Sequence, residues 1–194
     1  MKLSIVIPAY NEEDTITDLL SNVESANVIG GVEKELVVID DCSTDNTKQK
    51  VMDFVTSNPS LTILVFSQKN NKGKGAAIRK GIELSTGDLI IIQDADLEYD
   101  PNEYSVLLKP VLDGYADVVY GSRFTGSNPH RILFFWHSIG NKFLTTMSNM
   151  FTNLNLTDME TCYKLFRAEI IKSIPLKENR FGFEPEVTAK VSRI

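Results

Sequence analysis

Three carboxylates, Asp94, Asp96 and Glu98, stand at alternate positions directly after the run LIIIQ. Side chains alternate across an extended chain, so positions i, i+2 and i+4 there fall on one side. Acids crowded in this way repel one another unless a cation neutralises them. An incomplete set of hard oxygen ligands suits Mg²⁺ or Mn²⁺, with the diphosphate of a substrate filling the remaining positions. An Asp-x-Asp after a strand is also common by chance, so its weight comes from the residues around it.

Other strand exits are equally polar. LSIVIPAY ends in Pro8, Ala9, Tyr10, Asn11 and Glu12, and KELVVIDD ends in Asp40 and Asp41 before Cys42, Ser43, Thr44 and Asp45. The flat ring of Tyr10, with Glu12 and Asp40 as acceptors, can bracket a nucleobase and its ribose. Ser43 and Asp45 read instead as caps for a helix beginning about Thr47. In the segment Asn70 to Gly75, backbone N–H groups and Lys74 can meet a phosphate at a helix start, although the spacing is not that of a P-loop and a plain turn fits as well. Arg123, after Gly121 and Ser122, can grip a diphosphate with its fork or pair with a surface acid. In DMETCYKLF, Asp158 can act as a base or orient an acceptor, and it equally fits the cap of a turn, with Glu160 close behind. Glu184 and Glu186 in RFGFEPE stay open between the site and its surroundings, and His130 and His137, whose spacing suggests neither catalysis nor a metal, read as surface and helix residues.

These exits need elements to hold them. LSIVIPAY, KELVVIDD, LTILVFS, DLIIIQDAD and ADVVYGS read as strands, and helices are expected about Glu12 to Ser25, Thr47 to Ser57, Ala76 to Ser85 and Tyr104 to Leu112. Continuous apolar strands require a sheet covered on both faces, hence a three-layer α/β domain. Ligands bind such sheets beyond the carboxyl ends of the strands, where the acids lie. From Arg131 to Leu154 apolar residues recur at three- and four-residue spacing, among them Ile132, Trp136, Ile139, Phe143, Met147 and Met150. The favoured reading is a helix packed on the core, with a membrane-surface role as the other.

With 194 residues, 42% of them hydrophobic and 24% charged, the chain has the makings of one globular domain. A formal charge of -6 without a basic cluster argues against nucleic acid as a partner. Cys42 and Cys162 form neither a zinc pair nor a disulfide framework, so a cytoplasmic setting is expected. MKLSIVIPAY is too short an apolar run for a secretory leader, and no stretch approaches the roughly 18 to 20 apolar residues that span a bilayer. The closing EPEVTAKVSRI reads as the opening of a helix without a stop signal, so a longer parent chain is expected.

Taken together, VIPAYNE, VVIDDCSTD, KGKGAAIRKG, QDADLEYDP, GSRF and CYKLF resemble family 2 glycosyltransferases of the GT-A fold, nearest to the dolichyl-phosphate mannose or glucose synthase branch. The resemblance covers essentially the whole chain. It implies one three-layer α/β/α, Rossmann-like catalytic domain over residues 1–194, on a mostly parallel sheet. It implies inverting transfer of a hexose from a UDP- or GDP-sugar held by Pro8, Tyr10, Glu12 and Asp40, with Asp94 beside the nucleotide and Asp96 and Glu98 on the metal. Glu98 stands where relatives often carry Gln or Asp. Arg123 and the metal would stabilise the departing diphosphate. The implied acceptor is a polyprenyl phosphate, already ionised, which makes a strong base such as Asp158 dispensable, and contact with the cytoplasmic face of a membrane follows from it. A sugar hydroxyl of a surface glycan is the alternative acceptor, and it would need a base among Asp158, Glu160 and Glu186. A dehalogenase-type phosphatase fits poorly because its first acid belongs to the first strand, and a silent binding module would not need Asp96, Glu98 and Arg123 together.

Overall fold

A computed structural model describes residues 1–124 and 135–194. Its strands are β1 (Lys2–Ala9), β2 (Glu33–Asp40), β3 (Ile63–Ser67), β4 (Leu89–Ile92), β5 (Val118–Tyr120) and β6 (Lys164–Arg167). They form one sheet in the order β3-β2-β1-β4-β6-β5. The first four strands are parallel, and β6 runs antiparallel to both β4 and β5. Consecutive residues Leu3 to Ala9 of β1, and all of β4, are buried. Because neighbouring side chains point to opposite faces, burial of every residue means that both faces are covered, as the apolar runs required.

The helices are α1 (Ile16–Ser25), α2 (Thr47–Ser57), α3 (Lys74–Leu84), α4 (Tyr104–Leu112), α5 (Phe135–Thr152), α6 (Ala168–Ser173) and α7 (Phe183–Val191). Helices α2 and α4 have the bounds expected from sequence. Helix α1 begins later than expected, because Glu12 to Thr15 forms a turn in which the Glu12 carbonyl accepts from the N–H groups of Thr15 (3.1 Å) and Ile16 (2.9 Å).

Strand β6 and helix α6 were not expected. A lysine at a core position disguises β6: Lys164 is fully buried beside Leu165 and Phe166. Its ammonium donates to the carbonyls of Met159 (3.0 Å) and Thr161 and lies 4.9 Å from the centre of the Tyr120 ring. Burial pushes this ammonium down to about 8 against the pull of Glu184.

The structure corrects the reading of α5 as a core helix. Thr145 is the one residue of α5 that is buried, whereas Phe135, Trp136, Ile139, Phe143, Leu144, Met150 and Phe151 are all exposed. What holds α5 is polar: Asn141 donates to Asp158, Thr145 accepts from the Met159 N–H, and Asn149 both donates to and accepts from Leu156. These three positions are spaced i, i+4 and i+8, so they share one face of the helix. The Arg131 to Phe134 part of the expected helix, with His130, lies outside the described residues. Among the described residues, no helix is long and apolar enough to cross a membrane.

Helix α3 lies directly on β1 and β2. A Cβ on Gly81 would overlap Val6 Cγ1 and come within 3.4 Å of Ile39 Cγ1. Gly81→Ala should therefore destabilise the fold, because an overpacking cost of roughly 1 to 3 kcal/mol exceeds the ~1 kcal/mol helix-propensity gain of alanine. A lower midpoint in urea unfolding is the expected result, and a higher midpoint would show that α3 can move off the sheet at little cost.

Candidate functional site

The strand order reverses between β1 and β4: β2 and β3 lie to one side of β1, and β4 to the other. A crevice must open there beyond the carboxyl ends, since the connections leave in opposite directions. A cleft of ≈ 510 Å³ occupies that position. Pro8, Ala9, Tyr10 and Glu12 line it from the β1 exit, Asp94, Ala95 and Asp96 from the β4 exit, and Asp41, Asn71, Gly73, Lys74, Ala77, Arg180 and Phe181 complete it.

The two left-hand exits are laced together. Strands β1 and β2 are in register from Lys2 opposite Glu33 to Ala9 opposite Asp40, which brings both loops level. Asn11, in the left-handed region at φ 56°, donates its N–H to Ser43 Oγ (3.0 Å) and accepts from Thr44 N (2.8 Å). The Glu12 N–H donates to Thr47 Oγ1 (2.7 Å), and Asp45 accepts from the N–H groups of Thr47 (3.0 Å) and Glu13 (3.1 Å). Asp45 thus holds the first N–H of α2 from the turn before the helix, whereas Ser43, read with it as a cap, accepts from Asn11 instead, and Asn46 at the N-cap makes no side-chain cap bond. Burial raises the Glu12 carboxyl above the usual range, Thr15 pulls it down by a hydrogen bond, and Asp96, Asp94 and Asp45 push it up again.

Asp40 and Asp41 divide their duties. Asp40 is buried at the end of β2, accepts from the Ser43 N–H (3.0 Å), and does not line the cleft. Asp41, which the sequence reading did not select, does line it. Its two oxygens accept from the N–H groups of Lys72 (2.8 Å) and Gly73 (2.7 Å), so these backbone groups ahead of α3 are taken by a carboxylate and not left for a phosphate. Lys74, first residue of α3, donates to Asp94 (2.8 and 2.9 Å to its two oxygens) and approaches Glu184 at 3.5 Å. Burial opposes the charge of Lys74, but Cys162, Asp94 and Glu184 together outweigh it and hold the ammonium above its ordinary range.

The acidic loop is not extended. Strand β4 stops at Ile92, Leu97 turns into the left-handed region at φ 60°, and Asp96 Oδ1 accepts from the Glu98 N–H (3.1 Å). The three acids consequently separate: Asp94 meets Lys74, Asp96 enters the cleft, and Glu98 lies 3.8 Å from Arg123. No group of three or more such side chains surrounds a single metal position among the described residues. Behind the loop, the buried Gln93 donates to the carbonyls of Asp94 (3.0 Å) and Tyr99 (3.4 Å) and accepts from the hydroxyls of Tyr104 (2.8 Å) and Tyr163 (3.0 Å). That side chain spans the loop from its first residue to its last turn.

Arg123 and Asp158 form one unit. The Arg123 Nε and NH2 donate to the two Asp158 oxygens (2.8 and 3.0 Å), its N–H adds a third bond (3.1 Å), and Asn141 adds a fourth (2.9 Å). Burial alone would raise the Asp158 carboxyl, yet the bonds from Arg123 and Asn141 hold it below the usual carboxylate range. A carboxylate with four donors and a depressed pKa is a poor proton acceptor, and neither residue lines the cleft. Glu160 is the contrasting acid: burial, then Glu184, raises its carboxyl. Glu186 is occupied by the N–H groups of Lys177 and Glu178 and by Lys190.

The sequence profile described as "Glycosyl transferase family 2" matches residues 4–174. The chain belongs to glycosyl transferase family 2. Among family relatives, a dolichol-phosphate mannosyltransferase of Pyrococcus furiosus is 32% identical over 124 residues, 64% of this chain and 34% of the relative. A dodecaprenyl-phosphate galacturonate synthase of Rhizobium johnstonii is 28% identical over 191 residues, 98% of this chain and 55% of that protein. The chain thus spans about half the length of such relatives or less. Glucosyl-3-phosphoglycerate synthase from Mycobacterium tuberculosis, solved with Mn²⁺, UDP-glucose and phosphoglyceric acid, superposes with a TM-score of 0.72 at 22% identity, over 95% of this chain and 62% of that one. The family's GT-A fold is therefore the fold of this domain.

The buried Arg123–Asp158 pair has a pH signature. Asp158 titrates below its unfolded value, so the stabilisation from its charge is fully present above about pH 4 and is lost as pH falls through the depressed value. Arg123→Ala, which strands the Asp158 charge, should cost about 3 kcal/mol at pH 7 and distinctly less at pH 3, where the stranded carboxyl protonates. Denaturant unfolding at the two pH values measures this, and an equal loss at both would show that packing, not charge, joins the two residues.

Proposed function

We propose that this domain binds a nucleoside diphosphate hexose and transfers the hexosyl group to a polyprenyl phosphate with the help of a divalent metal. The observation that carries the reading is the cleft at the strand-order reversal, with Tyr10, Glu12 and Asp41 on one side and Asp94 and Asp96 on the other. Tyr10 is 45% exposed at the rim, free to stack on a base. Membership of family 2, and relatives named for transfer involving dolichol phosphate and dodecaprenyl phosphate, support the reaction class. The neighbour holding Mn²⁺ and UDP-glucose in the same fold supports the donor class.

The donor set fits a hard cation. Asp96 lines the cleft, and its Oδ2 accepts no hydrogen bond among the described residues, while Lys74 removes Asp94 from competition. Asp96 would hold the ion, with Glu98 able to join by leaving Arg123, and the remaining positions would fall to diphosphate oxygens. When bound, a divalent ion supplies positive charge to the departing diphosphate. In the transfer itself, a phosphate oxygen of the acceptor forms a bond to the anomeric carbon as the bond from that carbon to the diphosphate breaks. The nucleoside diphosphate leaves with the electron pair. The acceptor oxygen carries no proton, so no base is required, in keeping with the saturated state of Asp158.

Helix α5 supports the lipid acceptor. Its exposed Trp136, Phe143, Met150 and Phe151 form an apolar surface of the kind that binds a polyprenyl chain or the face of a bilayer. Each partner of this reading is testable. Calorimetric titration with UDP and with GDP should show tight binding of one of them in Mn²⁺ that collapses in EDTA, and no binding of either would overturn the donor reading. Asp96→Asn should lower metal-dependent turnover by about 10²-fold or more without altering thermal unfolding. Full turnover in that variant would remove Asp96 from the metal. Phe143→Ser combined with Phe151→Ser should reduce co-sedimentation with phospholipid vesicles severalfold while leaving nucleotide binding intact, and unchanged sedimentation would detach α5 from the membrane.

A further inference from the structure

Among the described residues the cleft wall carries four carboxylates, Glu12, Asp41, Asp94 and Asp96, against two cations, Lys74 and Arg180. Lys74 is already committed to Asp94 and Glu184. Arg123, the arginine singled out from sequence, is committed to Asp158 and lies off the cleft. Arg180 alone remains: it is exposed, it lines the cleft, and its guanidinium makes no hydrogen bond or ion pair among the described residues. A site for a phosphorylated ligand with four acids in its wall needs each uncommitted positive charge it has.

The backbone around Arg180 is fixed from both sides. Lys177 and Glu178 donate their N–H groups to the Glu186 carboxylate (2.9 and 2.8 Å), and Arg79 donates to the Glu178 carbonyl and to Asn179 Oδ1 (2.5 Å). The Asn179 carbonyl accepts from the Ala76 N–H (3.0 Å). The two glycines before and within α3 exist for this contact. A Cβ on Gly73 would lie 2.5 Å from the Asn179 oxygen and 2.8 Å from Arg180 Cγ, and one on Gly75 would lie 2.6 Å from the Glu178 oxygen. Gly73 also holds φ at 94°, where a side chain is strained. Beyond the segment, Phe183 is buried as α7 begins. The chain is therefore anchored on each side of Arg180 and Phe181, and those two side chains are left projecting at the cleft.

We propose that Arg180 is the phosphate-contacting residue of this cleft, held in place by the docking of residues 177–182 on the glycine-bearing start of α3. A guanidinium offers phosphate oxygens two parallel donors, and here it does so from a backbone that needs no further ordering. The inference rests on the donor-site reading above. The phosphate it meets belongs either to the donor diphosphate or to the acceptor, and both present the same oxygens.

The test uses Arg180→Gln, which keeps the stem over Gly73, alongside Arg180→Ala. Calorimetry in Mn²⁺ compares UDP, GDP and their nucleosides, and steady-state assays give KM for a polyprenyl phosphate. A loss of roughly 10- to 100-fold in diphosphate affinity with nucleoside affinity unchanged assigns Arg180 to the donor. A similar rise in acceptor KM with nucleotide affinity unchanged assigns it to the acceptor. Nucleotide affinity and KM both unchanged in the two variants overturn the inference while leaving the donor reading intact. Failure of the unaltered chain to bind either nucleotide overturns the donor reading, and the inference with it.

Discussion

The arrangement of the cleft depends on the position of one ammonium. Lys74 opens α3 and reaches both Asp94, after β4, and Glu184, in α7, so it joins three segments that are far apart in sequence. Without it, the nearly buried Glu184 and the partly buried Asp94 would face each other unpaired, which costs several kcal/mol in a poorly solvated setting. Asp41 works from the other side, spending its charge on the N–H groups of Lys72 and Gly73. Both carboxylates sit at the start of α3, where the helix dipole also favours negative charge. The helix start therefore assembles the cleft, and its N–H groups and its ammonium are already taken by carboxylates.

That division of labour explains why so many acids can share one crevice. Asp94, Glu98 and Asp158 each have a basic partner, and Asp41 and Asp45 each hold backbone N–H groups. Among the described residues Asp96 keeps an oxygen free of protein donors, and the carboxyl of Glu12, raised first by burial, is pushed up further by Asp96, Asp94 and Asp45. The fold concentrates acidity at one point and supplies fixed partners everywhere around it. A cation and a polyanion arriving together satisfy that imbalance better than either alone.

Much of this was legible in the sequence because it is local. Strands whose every residue is buried read as unbroken apolar runs, and α2 and α4 fell where periodicity placed them. The strand exits after β1 and β4 were rightly located, since the site of an open α/β sheet follows from chain direction alone. What stayed hidden depends on contacts between distant segments. Nothing in DDCSTD shows that Asp40 turns to Ser43 and Asp41 to the cleft, because a one-residue difference along a strand end reverses the side chain. Leu97 at positive φ could not be foreseen from the alternating acids, and it changes a ladder of three into three separate roles. The pairing of Arg123 with Asp158, 35 positions apart, and the docking of Asn179 on Gly73 have no local signal beyond the glycines themselves.

Helix α5 shows how periodicity can be read correctly and its meaning inverted. Its apolar stripe is real, but Asn141, Thr145 and Asn149 face the domain and the stripe faces away. Little apolar surface of this helix is buried, so directional bonds orient it, and those to Asp158 and Met159 satisfy groups that are buried. Asn141 is the critical one, because it shares Asp158 with Arg123 and Arg123 in turn approaches Glu98. A continuous series of polar contacts thus runs from the inner face of the apolar helix to the acidic loop after β4. Any ligand or surface that takes up the outer face of α5 bears on a helix whose position also sets Arg123. The exposed apolar side of α5 and the acidic loop after β4 are therefore built on the same carboxylate.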